Sequence, residues 1–432
     1  MSPVARTTTR RRILSLAAGG AAALSVAWPG PAPAQAPDKL VIISHAVHQR
    51  VATGEKGGDP TKAWREQHGI ELEWLTFSVE ETNQRVFREA SLATGTVDVA
   101  FILDRYGGPQ VADLFEDLGE WQKRDPIENF DEFPDGMLAA HRHHGKLIAI
   151  PYRHATHGLL YNEQLLAEQG ITAPPKTWPE MVEIAERMTY TRDDGTPVHG
   201  IIGSMDDPSS MIDWIRAYGG EFITPEYEVV IDQPGAVQAV TVLRDLFQKG
   251  VLPRNMMSFK TEEVITFMQQ GRAAMTNTPF GRYVNFNNPE QSQYPGKFKA
   301  VPLPLGADGE PVPAKTSVWA MAIPANAPNK ELSWSLIKHL SSVENTIAAA
   351  INGNGPARPS AYQDPRVREL VPYADQEAAA LENALLVLPG FENTGQAMDI
   401  LMEEIQAAML GLKEPEQAMA DVKQRVEPLL PR

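Results

Sequence analysis

"VDVAFILDRYGG", residues 97–108, is the stretch on which the fold turns. From Val97 to Leu103 it is mostly apolar, of strand length and rich in β-branched residues, so it reads as a buried strand. Buried strands of this kind belong to open α/β sheets, where ligands bind in the crevice outside the carboxyl ends of the strands. Asp104, Arg105 and Tyr106 follow that end directly, before the two glycines turn the chain.

Working outward, "KLVIIS" (39–44), "ELEWLTF" (71–77) and "KLIAIPY" (146–152) read as further strands, with helical patterns such as "EETNQRVFREASLA" (80–93) between them. This alternation predicts an α/β fold with parallel sheets and helices on both faces. Helix signals continue further along. Thr177-Trp178-Pro179-Glu180 has the form of a capping box ahead of the apolar face Met181, Ile184, Ala185 and Met188. A helix from Pro234 to Lys249 is expected to stop at Gly250, and "EEVITFMQQ" at Gly271. The sequence carries no internal repeat, heptad series or low-complexity tract.

A chain of 432 residues with 43% hydrophobic content has material for two cores of ordinary domain size. Its first residues read differently. Arg10, Arg11 and Arg12 precede a mild apolar stretch to Trp28, followed by a Pro/Ala-rich segment, which together have the three regions of an export signal of the twin-arginine type. Cleavage is expected near Ala34; an ordinary general-secretion signal is the alternative. The apolar stretch is too short and too rich in Gly and Ala for a membrane span, which needs about 20 apolar residues. Removal of the segment takes four arginines and no acid, leaving the protein more acidic than its formal −16. Such a charge disfavours nucleic acid and anionic lipid as partners. With no cysteine there is neither a disulfide nor a lipid-bearing residue, so a free periplasmic protein, without direct membrane insertion and monomeric, is expected.

Residues 145–181 ("GKLIAIPYRHATHGLLYNEQLLAEQGITAPPKTWPEM"), 267–283 ("FMQQGRAAMTNTPFGRY"), 322–340 ("AIPANAPNKELSWSLIKHL") and 352–367 ("NGNGPARPSAYQDPRV") resemble, in that order, signature segments of the family 1 extracellular solute-binding proteins. "DRYGG" is similar to the segment of maltose-type binding proteins that hydrogen-bonds sugar hydroxyls. The resemblance implies a two-lobed periplasmic-binding-protein fold of type II, with the ligand cleft between the lobes and three crossings near 153–158, 317–320 and 360–364. It places the N-terminal lobe at 37–153 and 320–360 and the C-terminal lobe at 154–319 and 361–432. It implies capture of a mono- or disaccharide by hinge closure and delivery to the permease subunits of an ABC importer, without a cofactor. The candidate ligand-binding residues are then Asp104, Arg105, Tyr106, His45, His48, Arg153, His154, Trp214, Phe280, Tyr283, Trp319 and Arg358.

The residue types suit a sugar, whose C–H faces pack on aromatic rings and whose hydroxyls need both donors and acceptors. Asp104 accepts from adjacent hydroxyls and Arg105 donates through its fork. The same pair also reads as an exposed turn, or as a cap for a helix near Gln110. Trp214 fits either a stacking platform or an ordinary buried helical stripe with Met211 and Ile215. Trp64, Trp74, Trp178 and Trp334 read as core. The chain departs from maltose-type binders where Phe280 and Tyr283 stand for a tryptophan pair and where Met211 and Met398 stand for aromatics, which leaves less stacking area for an extended oligosaccharide.

His141, His143 and His144 read as a surface loop. His45, His48, His154 and His157 would meet only if the strand ends near 44 and 152 are neighbours. With Arg50, Arg105 and Arg153 they would make the cleft mouth basic, which suits an acidic sugar or another anionic solute; a solvated rim is the alternative. No acidic or cysteine partner completes a metal set at fixed spacing. An enzyme is the competing class. The sequence has no nucleophile elbow, phosphate loop, dinucleotide fingerprint or zinc-protease helix in the required context, whereas a glycosidase carboxylate pair depends on the fold and stays open.

Overall fold

The strand Val99–Leu103 is buried along its whole length and holds an inner place in a six-stranded sheet. Across that sheet the order is Gly355–Pro356, Ile150–His154, Val318–Ala322, Val99–Leu103, Lys39–His45, Glu71–Phe77. The computed structural model describes residues 37–54, 56–205 and 207–431. The expected export signal, residues 1–34, lies outside them.

A second sheet has five strands, ordered Phe298–Val301, His157–Asn162, Ala273–Pro279, Pro197–Ile201, Tyr190–Thr191. Each sheet has its own core: Phe101, Trp64, Trp334 and Ile150 pack in the first, and Leu159, Trp178, Met275 and Phe298 in the second. The chain leaves the first sheet at His154 and enters the second at His157. It returns to the first between Val301 and Val318. Beyond Gly355–Pro356 it goes to the helices Thr394–Met409 and Pro415–Val426, which pack with Pro234–Gln248 in the second core. The architecture is α/β and two-lobed.

The sheets are mixed, which corrects the expectation of parallel sheets. Lys39–His45 runs parallel to both Glu71–Phe77 and Val99–Leu103, but Val318–Ala322 is antiparallel to Val99–Leu103 and to Ile150–His154. A strand that re-enters the sheet from the other lobe arrives at its far end, so it runs against its neighbours. "KLIAIPY" is also two strands: Lys146–Leu147 pairs with Arg142–His143 across a turn at His144 and Gly145, both at positive φ, and Ile150–His154 follows. His141, placed by sequence on a surface loop, is buried.

Local signals act as their chemistry dictates. Thr177 Oγ1 accepts from the Glu180 amide at 3.3 Å, while the Glu180 carboxylate reaches back to the amide of Lys176 rather than that of Thr177. The helices Pro234–Gln248 and Thr261–Gln269 are followed by Gly250 and Gly271, both left-handed at φ 76° and 63°. Gly158 is required for another reason: a Cβ there would stand 2.3 Å from the Phe280 ring. Among the described residues, no helix is long and apolar enough to cross a membrane.

Candidate functional site

Residues 315–319 connect the lobes, and their side chains alternate as an extended chain requires. Lys315, Ser317 and Trp319 face a cavity of about 120 Å³ between the two sheets, whereas Thr316 and Val318 face a second cavity on the opposite side. That second space is larger, about 660 Å³, but its walls are mainly apolar, with Met137, Ile223, Leu381, Leu385 and Leu388. Its polar residues Arg216, Glu221 and Tyr362 are engaged within the protein, Arg216 with Glu221 and the carbonyls of Leu385 and Leu386, and Tyr362 with His154. The first cavity has the converging polar groups that a hydroxylated solute needs. A smaller one of about 70 Å³ adjoins it and shares the wall residues Asp207, Pro279, Arg282 and Lys315.

One end of the cleft is built from Asp104, Arg105, Asp207 and Lys315. Asp104 and Arg105 follow Val99–Leu103, and Asp207 lies beyond the end of Pro197–Ile201, so the group spans both lobes. Arg105 Nη2 stands 3.6 Å from Asp207 Oδ1, and Lys315 Nζ 3.8 Å from Asp207 Oδ2. Burial alone would raise the Asp207 carboxyl, yet Arg105 and Lys315 hold it below the usual carboxylate range. Asp104 is buried behind this group, and neither of its carboxylate oxygens has a hydrogen-bond partner in the protein. Burial pushes it up to about 6 despite the nearby Arg105 and Lys315. Arg105 also stands 5.2 Å from the ring of Tyr106, which packs against the first core.

The other end gathers Arg50, Arg153 and Arg282 around His45. Arg50 comes from the helix Ala46–Ala52, Arg153 from the strand end before the first passage between sheets, and Arg282 from the turn Phe280–Arg282. Arg153 is held down to about 10 by burial and by the charges of Arg282 and Arg50. The His45 imidazole is lowered to about 4, first by burial and then by Arg153, Arg282 and Arg50, so it is neutral near pH 7. His45 caps its helix by accepting from the Val47 amide and lies parallel to Trp319, 6.2 Å between ring centres.

Several sequence candidates lie outside this cleft. Arg358 is fully buried within the first lobe, where it donates to the carbonyls of Ser341, Asn129 and Glu128 and pairs with Glu132. A guanidinium whose donors are spent on backbone in the interior has none for a solute. Trp214 is core, edge-on to Trp178 at 5.1 Å. Phe280 is buried against Tyr373, and Tyr283 packs on the same ring. His48 is buried against Phe101, behind the wall. His154 Nε2 bonds Tyr362 Oη at 2.9 Å, and His157 Nδ1 bonds Asp213 Oδ2 at 2.6 Å. The four histidines therefore do not form one set. Among the described residues, no group of three or more His, Cys, Asp or Glu side chains is placed to hold a metal ion.

Residues 61–375 match the family model described as bacterial extracellular solute-binding protein. The chain belongs to this solute-binding family. A curated relative, a probable ABC transporter-binding protein of Deinococcus radiodurans, is 24% identical over 343 residues, which is 77% of this chain and 79% of the relative. The maltose-bound MalE3 of T. maritima superposes with a TM-score of 0.79 at 24% identity, over 91% of this chain and 100% of the other. An ABC transporter solute-binding protein from Agrobacterium radiobacter K84, in complex with ribitol, does so with a TM-score of 0.76 at 22% identity, over 91% and 98%. These solved structures share the fold, two lobes of the type II periplasmic binding proteins.

In this solute-binding protein, sequence reasoning passed over Asp207, Arg282 and Lys315. Asp207-Pro208 after a strand carried a signal, since aspartate there both caps and lines a crevice end. Arg282 and Lys315 carried none: their partners are distant in sequence, and only the packing of the two lobes brings them to one cavity.

Proposed function

We propose that the cleft between the two sheets captures a small polyhydroxylated solute, a monosaccharide or a polyol, by hinge closure, and that the protein delivers it to the permease of an ABC importer. One observation carries this reading: donors and acceptors from both lobes, Arg105 on one side and Asp207 on the other, converge on a single cavity beside the Trp319 ring. A solute bridging them replaces contacts between lobes with contacts to itself, which is the energetic requirement for a closing hinge. The cavity volume of about 120 Å³ suits a small solute better than an extended oligosaccharide. Maltose in one structural relative and ribitol in another support the chemical class.

The same reading sets the lobes at 37–153 with 320–360 and 154–319 with 361–432, joined by three crossings. It takes the protein as a periplasmic monomer, exported by the twin-arginine route and cleaved near Ala34, that binds without chemical change of the solute. The test is a thermal-shift screen of the exported protein against monosaccharides, polyols and sugar acids, followed by small-angle scattering. A ligand at a hundred times its Kd adds about 2.7 kcal/mol, and the radius of gyration should fall on binding. Stabilisation without a change of radius would refute hinge closure. Release of a modified solute would refute simple binding.

A further inference from the structure

The cleft has two electrostatically different ends. At one, the cations Arg105 and Lys315 share the Asp207 carboxylate, with Asp104 buried beside them. At the other, Arg50, Arg153 and Arg282 face one cavity from three separate segments. Among the described residues, neither Arg50 nor Arg153 has a hydrogen-bonded or ion-paired partner, and Arg153 Nε is buried without one. The carboxyl group that acts on Arg153 is Glu377, which burial pushes up to about 8, so near pH 7 it is mostly protonated and offers little counter-charge. The Tyr373 hydroxyl, also on this side, is held neutral by burial. Two guanidinium groups without partners, those of Arg50 and Arg153, thus face the cavity beside Arg282 in a protein whose formal charge is −16.

Cations gathered at one partly enclosed cavity repel one another unless an anion stands between them. Guanidinium forks match the paired oxygens of carboxylate and phosphate, and unlike lysine they keep their charge when desolvated. We propose that the solute bears an anionic group, a phosphate monoester or a carboxylate, which docks against Arg50 and Arg153 while its hydroxyls face Arg105 and Asp207. This rests on the cleft being the solute site and adds the charge of the solute to it.

The experiment uses the exported protein and four probes: ribitol, ribitol 5-phosphate, ribonate and inorganic phosphate, each at low and high NaCl, by calorimetry and thermal shift. At least one charged polyol should bind about tenfold or more tighter than ribitol, which is the scale of one charge-assisted hydrogen bond, and its affinity should fall with added salt. The tighter of the two charged polyols identifies the anionic group. Arg50→Gln, on an exposed helical position, should reduce that charged-to-neutral ratio about tenfold. It should also raise the melting temperature of the ligand-free protein, because a repelling charge is gone; this readout holds even if Arg153→Gln fails to fold. Ribitol binding as tightly as either charged analogue, with Arg50→Gln leaving the ratio unchanged, overturns the anionic inference and leaves the cleft a site for neutral polyols. No response to any charged probe, inorganic phosphate included, overturns the inference. If neutral sugars and polyols also fail, the reading of the cleft falls with it.

Discussion

Replacing Arg358 by methionine tests whether this arginine, which the motif resemblance placed in the ligand site, is a structural tie. Its side chain is wholly enclosed. It donates to Ser341 O at 3.0 Å, Asn129 O at 2.5 Å and Glu128 O at 2.8 Å, pairs with Glu132 at 3.3 Å, and stands over the Phe133 ring at 4.3 Å. Methionine fills much of the volume but leaves three carbonyls without this donor, while Glu132 still accepts from Ser360 Oγ at 2.7 Å. A buried acceptor so stranded costs about 1–3 kcal/mol, and the pair with Glu132, whose side chain is 31% exposed, adds about 1 kcal/mol or less. The terms overlap, so a net loss of about 3–5 kcal/mol is expected rather than their total. In a large domain each kcal/mol lowers the melting temperature by roughly 2 °C, which gives a fall of roughly 6–10 °C. Calorimetric melting of wild type, Arg358→Met and Arg358→Lys measures it. Lysine keeps the charge but reaches fewer carbonyls, so it should fall between the two. A methionine variant that melts with wild type yet no longer responds to a solute that stabilises wild type would refute the structural role and return Arg358 to the ligand.

Gly158→Ala sets a methyl group against the Phe280 ring and should cost roughly 1–3 kcal/mol in urea unfolding, partly recovered when Phe280→Leu is added. Asp207→Asn removes the carboxylate that Arg105 and Lys315 share across the cleft; at 3.6 and 3.8 Å the contacts are long, so about 1 kcal/mol of closure is lost, and scattering should show a larger ligand-free radius than wild type. Acid should destabilise the protein early. His45, lowered to about 4, and His141 and His154, lowered to about 3, stay neutral when folded but take protons near pH 6.5 when unfolded. Their contribution is therefore complete above pH 6.5 and lost towards pH 4, at up to about 1.4 kcal/mol per pH unit for each; a flat melting temperature from pH 7 to 5 in Glu377→Gln, which lacks the opposing carboxyl, would contradict it. Glu377, raised to about 8, acts in the opposite sense: its contribution is full below about pH 4.5 and is lost as pH rises through 8, so Glu377→Gln should gain on wild type in melting temperature between pH 6 and 9.

The sequence alone was enough for the α/β class, the positions of the principal strands and helices, and the segments that carry the family resemblance. Those features are written in local signals: a β-branched run for Val99–Leu103, Thr177 before its helix, and Gly250 and Gly271 after theirs. The site was legible where it follows a strand end, as at Asp104 and Arg105, because the end of a buried strand has a defined place in the fold. What only the tertiary structure decided was which polar side chains face the cleft. Arg358 and His154 looked like binding groups, but their partners, Asn129 and Tyr362, are separated from them by more than 200 residues. Arg282 and Lys315 carried no signal in the sequence, and the packing of two lobes put them in one cavity with Arg50 and Asp207. Periodicity records which residues leave water; it does not record which partner a buried charge will meet, since that distance is set by chain passages between the sheets.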